Sequence, residues 1–333
     1  MKTDVAIIGA GPVGIFGAFQ AGILGMKTCI IDALDVAGGQ CNALYPEKPI
    51  YDIPAHPNIL AQNLIDNLLI QAKPFKPNYL MSRQVTSLKH TSDGFTLHTS
   101  KGDIISAKSV VIAAGAGAFG FNRPPLEDIT LYENKSVFYS VTNKAKLTNK
   151  KIVIAGGGDS ALDWTISLSS IAQVTLVHRR DKFRASPSTV QKIRELSSGN
   201  KINLLTGFQL HKLGGSEGNL KQVSIIDLDG NTKNIEADIL LPFFGLSQDL
   251  TSVASFGIEV KNHHIKANYP YFETNIKGVY AVGDVVSYDG KLKLILTGFG
   301  EMASALHHAY SRVFDGKPLH FEYSTTKGIS QGK

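Results

Sequence analysis

The chain has 333 residues, 43% of them hydrophobic and 32 of them glycine, which leaves room for two domains with proper cores and excludes a disordered or fibrous chain. Its two cysteines, Cys29 and Cys41, lack CxxC spacing and are too few for a disulfide scaffold or a cysteine-held iron–sulfur or zinc cluster. The formal charge of +6 suits an acidic partner or a phosphate-rich ligand, whereas no basic block or reader motif points to nucleic acid.

Residues 3–8 read as a short buried strand at the very start, with no signal-peptide region before it. No apolar run reaches about 18 residues, so a cytoplasmic protein without membrane insertion is expected. The strand runs into Gly9-Ala10-Gly11-Pro12-Val13-Gly14, a helix to about Leu24, and a second strand, 27–31, ending at Asp32. Residues 85–88 and 95–99 form a predicted hairpin around Ser92-Asp93-Gly94, and 110–115 a buried strand with a glycine turn. The same unit then recurs: strand 150–155, turn Gly156-Gly157-Gly158-Asp159-Ser160-Ala161, helix 162–171, and strand 174–178 closing on Arg179-Arg180. A helix from Pro187 to near Gly199, a hairpin about Asp229-Gly230, strand 239–243, strand 278–284 and a helix 300–313 complete the pattern. Two βαβ units with glycine turns predict an α/β fold of two Rossmann-like three-layer nucleotide-binding domains, the second inserted in the first. The predicted boundaries are 1–118 with 275–333 for one domain and 119–274 for the other.

Each glycine turn follows a strand and opens a helix, the context that gives a bare GxGxxG pattern its meaning. Gly9 allows the tight turn, Gly11 lets backbone approach a pyrophosphate, and Gly14 permits close helix packing, with Pro12 at the helix start. In the second turn Gly156, Gly158, Asp159 and Ser160 play these parts, with Ala161 in the third small position. Asp159 is read either beside the ligand or as a cap of its own loop. The ends of the following strands differ. Asp32 can accept from ribose hydroxyls and repels a 2′-phosphate, whereas Arg179 and Arg180, with Arg184 and His178 nearby, would pair with one. The first site is therefore expected to take a dinucleotide without a 2′-phosphate and the second NADP(H). Asp284, at a strand end, suits a flavin ribityl hydroxyl. No side-chain nucleophile, triad or metal site is expected, because electron transfer to a flavin needs placement rather than a protein nucleophile.

Taken together, the two glycine turns, Gly38-Gly39-Gln40, Leu44-Tyr45-Pro46, Val177-His178-Arg179-Arg180 and Val282-Gly283-Asp284 resemble the thioredoxin-reductase-like ferredoxin–NADP⁺ reductases of bacteria. The resemblance implies FAD in the discontinuous domain and NADPH in the inserted one, passing electrons as two-electron hydride on the nicotinamide side and one-electron steps to ferredoxin. It places Asp32 at the adenosine ribose, Val85 at the adenine side, and Gln40 and Tyr45 at the flavin, with Tyr45 stacked on the ring. Phe119 or Phe121 borders the flavin, Asp284 meets the ribityl or pyrophosphate portion, Thr325 approaches the flavin end and Tyr323 covers the other ring face. Histidine is frequent in the family where Tyr323 stands. Thioredoxin reductases carry a CxxC pair where this chain has Ser136-Val137-Phe138-Tyr139-Ser140-Val141, so thiol–disulfide exchange lacks its groups. The resemblance further implies a homodimer, domains that pivot, and an acidic partner, ferredoxin or flavodoxin, with Arg123, Lys144, Lys146 and Lys291 as candidate contacts. The rival reading is an NADPH dehydrogenase or oxidase that reduces quinones or other small acceptors.

Overall fold

The computed structural model describes residues 1–115 and 117–319, with side chains throughout these except at 118–120 and 246–249. The chain forms two compact units, Met1–Phe119 with Gln248–Lys333 and, between them, Gly120–Ser247. Each is built on a sheet with parallel central strands, one of which runs into a glycine turn.

In the first unit the central strand Lys2–Ile8 lies parallel to Thr28–Ile31 on one side and Ile104–Ile112 on the other. Val5, Ala6, Ile7, Ile30, Val111 and Ile112 are fully buried, the continuous apolar run expected of strands covered on both faces. Each such isoleucine or valine contributes about 1.5–3 kcal/mol of burial. Asn78–Leu80 extends the sheet beyond Thr28–Ile31. The start of Ile104–Ile112 pairs antiparallel with the hairpin strand Gly94–Thr99, and its end pairs parallel with Val279–Ala281. Helix Pro12–Ile23 packs against helix Ile295–Val313 through Phe16 and Phe299, ring centroids 4.9 Å apart, and through Gly17, whose missing Cβ leaves room for Met302.

Two expectations change here. Residues 248–274, predicted in the inserted domain, belong to the first unit: Leu250, Val253, Ile258, Ile265 and Phe272 join its core, and Ile265 pairs with Val286. The proline and short polar residues near 269–275 look like a domain crossing, but they stay within this unit, with Phe272 and Thr274 buried and Glu273 bridged to Tyr280. The last helix begins at Ile295 rather than Gly300. Gly298 and Gly300 weaken its apparent start in sequence, yet Gly298 is required where the helix meets Val13.

In the second unit four parallel strands run in the order Asn203–Thr206, Gln173–His178, Lys151–Ala155, Ile239–Pro242. An antiparallel sheet of Gln209–Ser216, Asn219–Ile226 and Thr232–Glu236 adds Leu213, Val223 and Ile225 to a core shared with Val153, Val177 and Leu240. Helix Pro187–Ser198 starts on Ser186, which accepts from the Thr189 N–H at 3.3 Å, and stops at Gly199. Among the described residues no helix is long and apolar enough to cross a membrane.

Candidate functional sites in the two units

The first glycine turn is fixed by backbone contact. Gly9 sits at φ +113°, and a Cβ there would lie 2.3 Å from the Ala113 carbonyl oxygen. A Cβ on Gly14 would lie 1.9 Å from the Gly9 carbonyl oxygen, so the helix can begin this close to the turn only with glycine. Gly11 differs: nothing lies within 4 Å of its Cβ position, and it faces a cleft. Helix Pro12–Ile23 has no side-chain cap, so its first N–H groups and the positive end of its dipole are left for an anion.

That cleft brings together Gly9, Gly11, Pro12, Asp32, Gln40, Tyr45, Val85 and Asp284, as the sequence predicts, along with the starts of helices Pro12–Ile23 and Ile295–Val313. Gly14 lies behind the turn, buried against Gly9, and supports the cleft without lining it. The Asp32 carboxylate accepts from the Ala10 N–H at 2.6 Å and the Leu34 N–H at 2.8 Å, tying the strand end to the glycine turn. Burial raises its pKa above the ordinary 3.8, and the backbone donors oppose that shift. Tyr45, at the end of helix Gln40–Leu44, is also shifted upward, first by burial and then by Cys41 and Asp284, which keeps its phenol neutral. Burial pushes the Cys41 thiol up to about 11.

The cleft also holds groups that motif reading passes over. Arg83 lines it, with Nε donating to Asp103 at 2.7 Å and its backbone N–H donating to the Asp32 carbonyl at 2.8 Å. Ser252, Val253 and Phe256 line it from the segment expected in the other domain. Ser252 Oγ accepts from the Gln84 side chain at 3.0 Å. Only the position of Arg83 two residues before Val85 hints at its role in sequence.

The second site rests on the same design. Helix Asp159–Leu168 starts at Gly158 without a side-chain cap. Ala161 is fully buried beneath Gly156, which explains the small residue there. The Asp159 carboxylate accepts from the Ser186 N–H at 3.2 Å, so it braces its own loop, one of the two roles left open for it. The Arg184 N–H donates to the Gly157 carbonyl at 2.7 Å, which brings that arginine alongside the turn. The His178 ring occupies the space a Cβ on Gly157 would need, 2.1 Å away, and stacks on Phe183. Burial lowers its pKa below the ordinary 6.5. Ser160, Arg179, Arg180 and Arg184 are exposed, and none of these arginines has a carboxylate partner among the described residues. An uncapped helix start with free arginines is what a phosphorylated nucleotide needs.

Other predicted residues fall elsewhere. Phe121 stacks on Tyr139 at 5.0 Å within the second unit, and the first-unit cleft does not include it. The Phe119 side chain, Tyr323 and Thr325 lie outside the described residues. Lys291, predicted as a surface contact for a partner, is only 6% exposed and is paired with the buried Glu301. Arg123 is paired with Glu133 at 2.8 Å, and Lys144 donates to Ser167 at 3.3 Å, whereas Lys146 is exposed.

A family model described as pyridine nucleotide-disulphide oxidoreductase matches residues 3–308. The chain is 59% identical over 331 residues to the ferredoxin–NADP reductase of Rickettsia rickettsii (strain Iowa), spanning 99% of this chain and 97% of that one. It is 58% identical over 333 residues to the ferredoxin–NADP reductase of Rickettsia canadensis (strain McKiel), spanning 100% and 99%. Among solved structures, the T. acidophilum thioredoxin reductase aligns with a TM-score of 0.81 at 26% identity, over 94% of this chain and 99% of that one. The Lactococcus lactis thioredoxin reductase aligns with a TM-score of 0.80 at 26% identity over the same shares. The two cysteines of this chain, 29 and 41, leave residues 136–141 without the pair that thiol–disulfide exchange requires.

Proposed function

The chain belongs to the pyridine nucleotide-disulphide oxidoreductase family, and we propose that it works as a ferredoxin–NADP⁺ reductase with FAD in the first unit and NADP(H) in the second. The observation that carries this reading is the contrast between two equivalent strand ends. After the first glycine turn stands Asp32, its carboxylate held against the turn by Ala10 and Leu34; after the second stand the exposed Arg179 and Arg180. A carboxylate at that place accepts from ribose hydroxyls and repels a 2′-phosphate, while guanidinium groups pair with one.

The residues present fit both groups. Gly11 leaves the space of a side chain open on the cleft, and the uncapped helix start behind it supplies N–H donors for a pyrophosphate. Asp284 and Tyr45, which line the same cleft, would receive the ribityl chain and the ring. Arg179, Arg180 and Arg184 would hold the 2′-phosphate, with Gly158 and the start of helix Asp159–Leu168 on the pyrophosphate. When bound, FAD supplies the link between a two-electron nicotinamide and one-electron carriers. The protein's own work is to bind, orient and exclude water, and no side chain is required as nucleophile.

Two full-length relatives named for ferredoxin favour ferredoxin over quinones as the acceptor. The chain's charge of +6 suits an acidic iron–sulfur partner, or flavodoxin, and leaves Lys146 as an exposed candidate contact. A homodimer in the cytoplasm is part of the same reading. The test is anaerobic stopped-flow absorbance of the purified protein mixed with NADPH, then with oxidised ferredoxin. Fast bleaching of the flavin by NADPH, far slower bleaching by NADH, and rapid recovery with ferredoxin are expected. Recovery with quinone alone moves the function to the rival dehydrogenase, and absence of flavin overturns the cofactor assignment.

A further inference from the structure

Helix Ile295–Val313 carries a carboxylate in the core of the first unit. Glu301 is 3% exposed, and its partner Lys291 is 6% exposed. Glu301 Oε1 accepts from the Tyr288 hydroxyl at 2.6 Å and from the Lys291 ammonium; Oε2 accepts from the Gly283 N–H at 2.7 Å. The Lys291 ammonium also lies over the Tyr288 ring, 5.6 Å from its centroid. Gly283 is at φ +78°, immediately before Asp284 in the cleft wall. Three residues before Glu301, and so on the same helix face, Gly298 lets the helix approach until its Cβ position is 3.5 Å from the Gly283 Cα and 2.5 Å from Val13. One helix face thus grips the Gly283–Asp284 turn sterically through Gly298 and by hydrogen bond through Glu301.

A neutral amide could accept the Gly283 N–H equally well, and an apolar neighbour would fill the place of Lys291 with less desolvation. Removing two charges from water is a large cost that a buried pair recovers only with good geometry and fully satisfied partners. Here both Glu301 oxygens accept hydrogen bonds, the Lys291 ammonium meets Glu301 and the Tyr288 ring, and Glu301 lies directly behind Gly283 of the cleft wall. We propose that Glu301 and Lys291, braced by Tyr288, are positioning residues that hold the Gly283–Asp284 turn and set the charge balance felt by the flavin, and so its affinity and reduction potential. This rests on the assignment of FAD to the first unit. The pair acts through Gly283 and through space, and it exchanges neither protons nor electrons.

The two charges act oppositely on electron-rich reduced flavin. Glu301→Gln leaves a buried cation and is expected to raise the midpoint potential. Lys291→Met leaves a buried anion and lowers it, and the double variant Glu301→Gln/Lys291→Met returns toward the wild type. A merely structural role moves both single variants the same way. Tyr288→Phe removes one hydrogen bond to Glu301 without changing charge. Its FAD dissociation constant should rise by roughly two- to tenfold with the potential unchanged. The measurements are dye-coupled potential titrations of the holoproteins and fluorescence titration of the deflavinated proteins with FAD. Shifts of one sign in both single variants, or no shift in variants that retain FAD, overturn the proposal. Should a single variant not fold, wild-type FAD affinity in Tyr288→Phe overturns it. A wild-type protein that neither carries nor takes up FAD overturns the cofactor assignment itself, before any variant is compared.

Discussion

Gly11 and Gly14 stand three residues apart and answer to different demands. Gly14 must lack a side chain for the fold, because its Cβ would lie 1.9 Å from a backbone oxygen. The Cβ position of Gly11 is open, and its backbone is extended, φ −71° and ψ −179°, as any residue adopts. Gly14→Ala is therefore expected to destabilise the ligand-free protein by about 1–3 kcal/mol or more. Gly11→Ala should leave urea unfolding within about 0.5 kcal/mol of wild type, as at other uncrowded positions, and weaken FAD binding instead. Equal losses of stability in both variants count against a cofactor role for Gly11. At the second turn, Arg179→Ala and Arg180→Ala should each raise KM for NADPH by roughly ten- to a hundredfold, the worth of a hydrogen bond to a charged group. KM for NADH should not change with ferricyanide as acceptor, and a matching loss with NADH rules out the 2′-phosphate assignment. Residues set by local backbone geometry, such as Gly9, Gly14 and Ala161, are legible in sequence because a turn and a helix start demand them wherever they occur. Lys291 and Arg83 are not legible. Their meaning comes from Glu301, ten residues away, and Asp103, twenty residues away, and no local pattern announces such a pairing.

At the scale of elements, the strand–turn–helix units were readable because buried parallel strands need unbroken apolar runs, and Val5-Ala6-Ile7-Ile8 and Ile152-Val153-Ile154-Ala155 supply them. Segment 248–274 was not readable. Its strands are two or three residues long, and they are held by tertiary contacts of Ile265 and Phe272 rather than by any period. The start of helix Ile295–Val313 was hidden for a related reason, since Gly298 serves packing at the expense of helix propensity. Strand Gln173–His178 ends in a testable group. Burial lowers the folded-state pKa of His178 below the ordinary 6.5, so the unfolded chain binds the proton more readily. The stability that goes with a neutral ring is complete above about 6.5 and is lost as pH falls through that value toward the lower folded one. Melting temperatures between pH 7.5 and 5.5 should fall more steeply for the wild type than for His178→Phe, which keeps an aromatic ring for Phe183 and has no proton to gain. Identical slopes would show that His178 carries no such linkage.

At the scale of the whole molecule, the fold does not choose the reaction. This chain superimposes on thioredoxin reductases with TM-scores of 0.80 and 0.81, yet what separates the two chemistries is a pair of sulfur atoms. Both cysteines here lie in the first unit, Cys29 fully buried and Cys41 2% exposed, and no cysteine stands at 136–141. Burial pushes each thiol from 9.0 up to about 11. At pH 8 only about one thiol in a thousand is then ionised, and the thiolate is the reactive form. Cys41 does line the cleft, which makes it the thiol a reagent could reach before FAD is bound. The holoprotein should therefore resist an aromatic disulfide reagent at pH 8 over the time in which a free thiol peptide is consumed. Both thiols should titrate after unfolding in guanidinium, and the reagent-treated enzyme should keep its full rate from NADPH to ferredoxin. The deflavinated protein is expected to lose protection at Cys41 alone, because Cys29 sits between paired strands and has no path to solvent. A thiol in the holoprotein that reacts rapidly, with activity lost in proportion, would place sulfur back in the electron path and undo the separation from thioredoxin reductases.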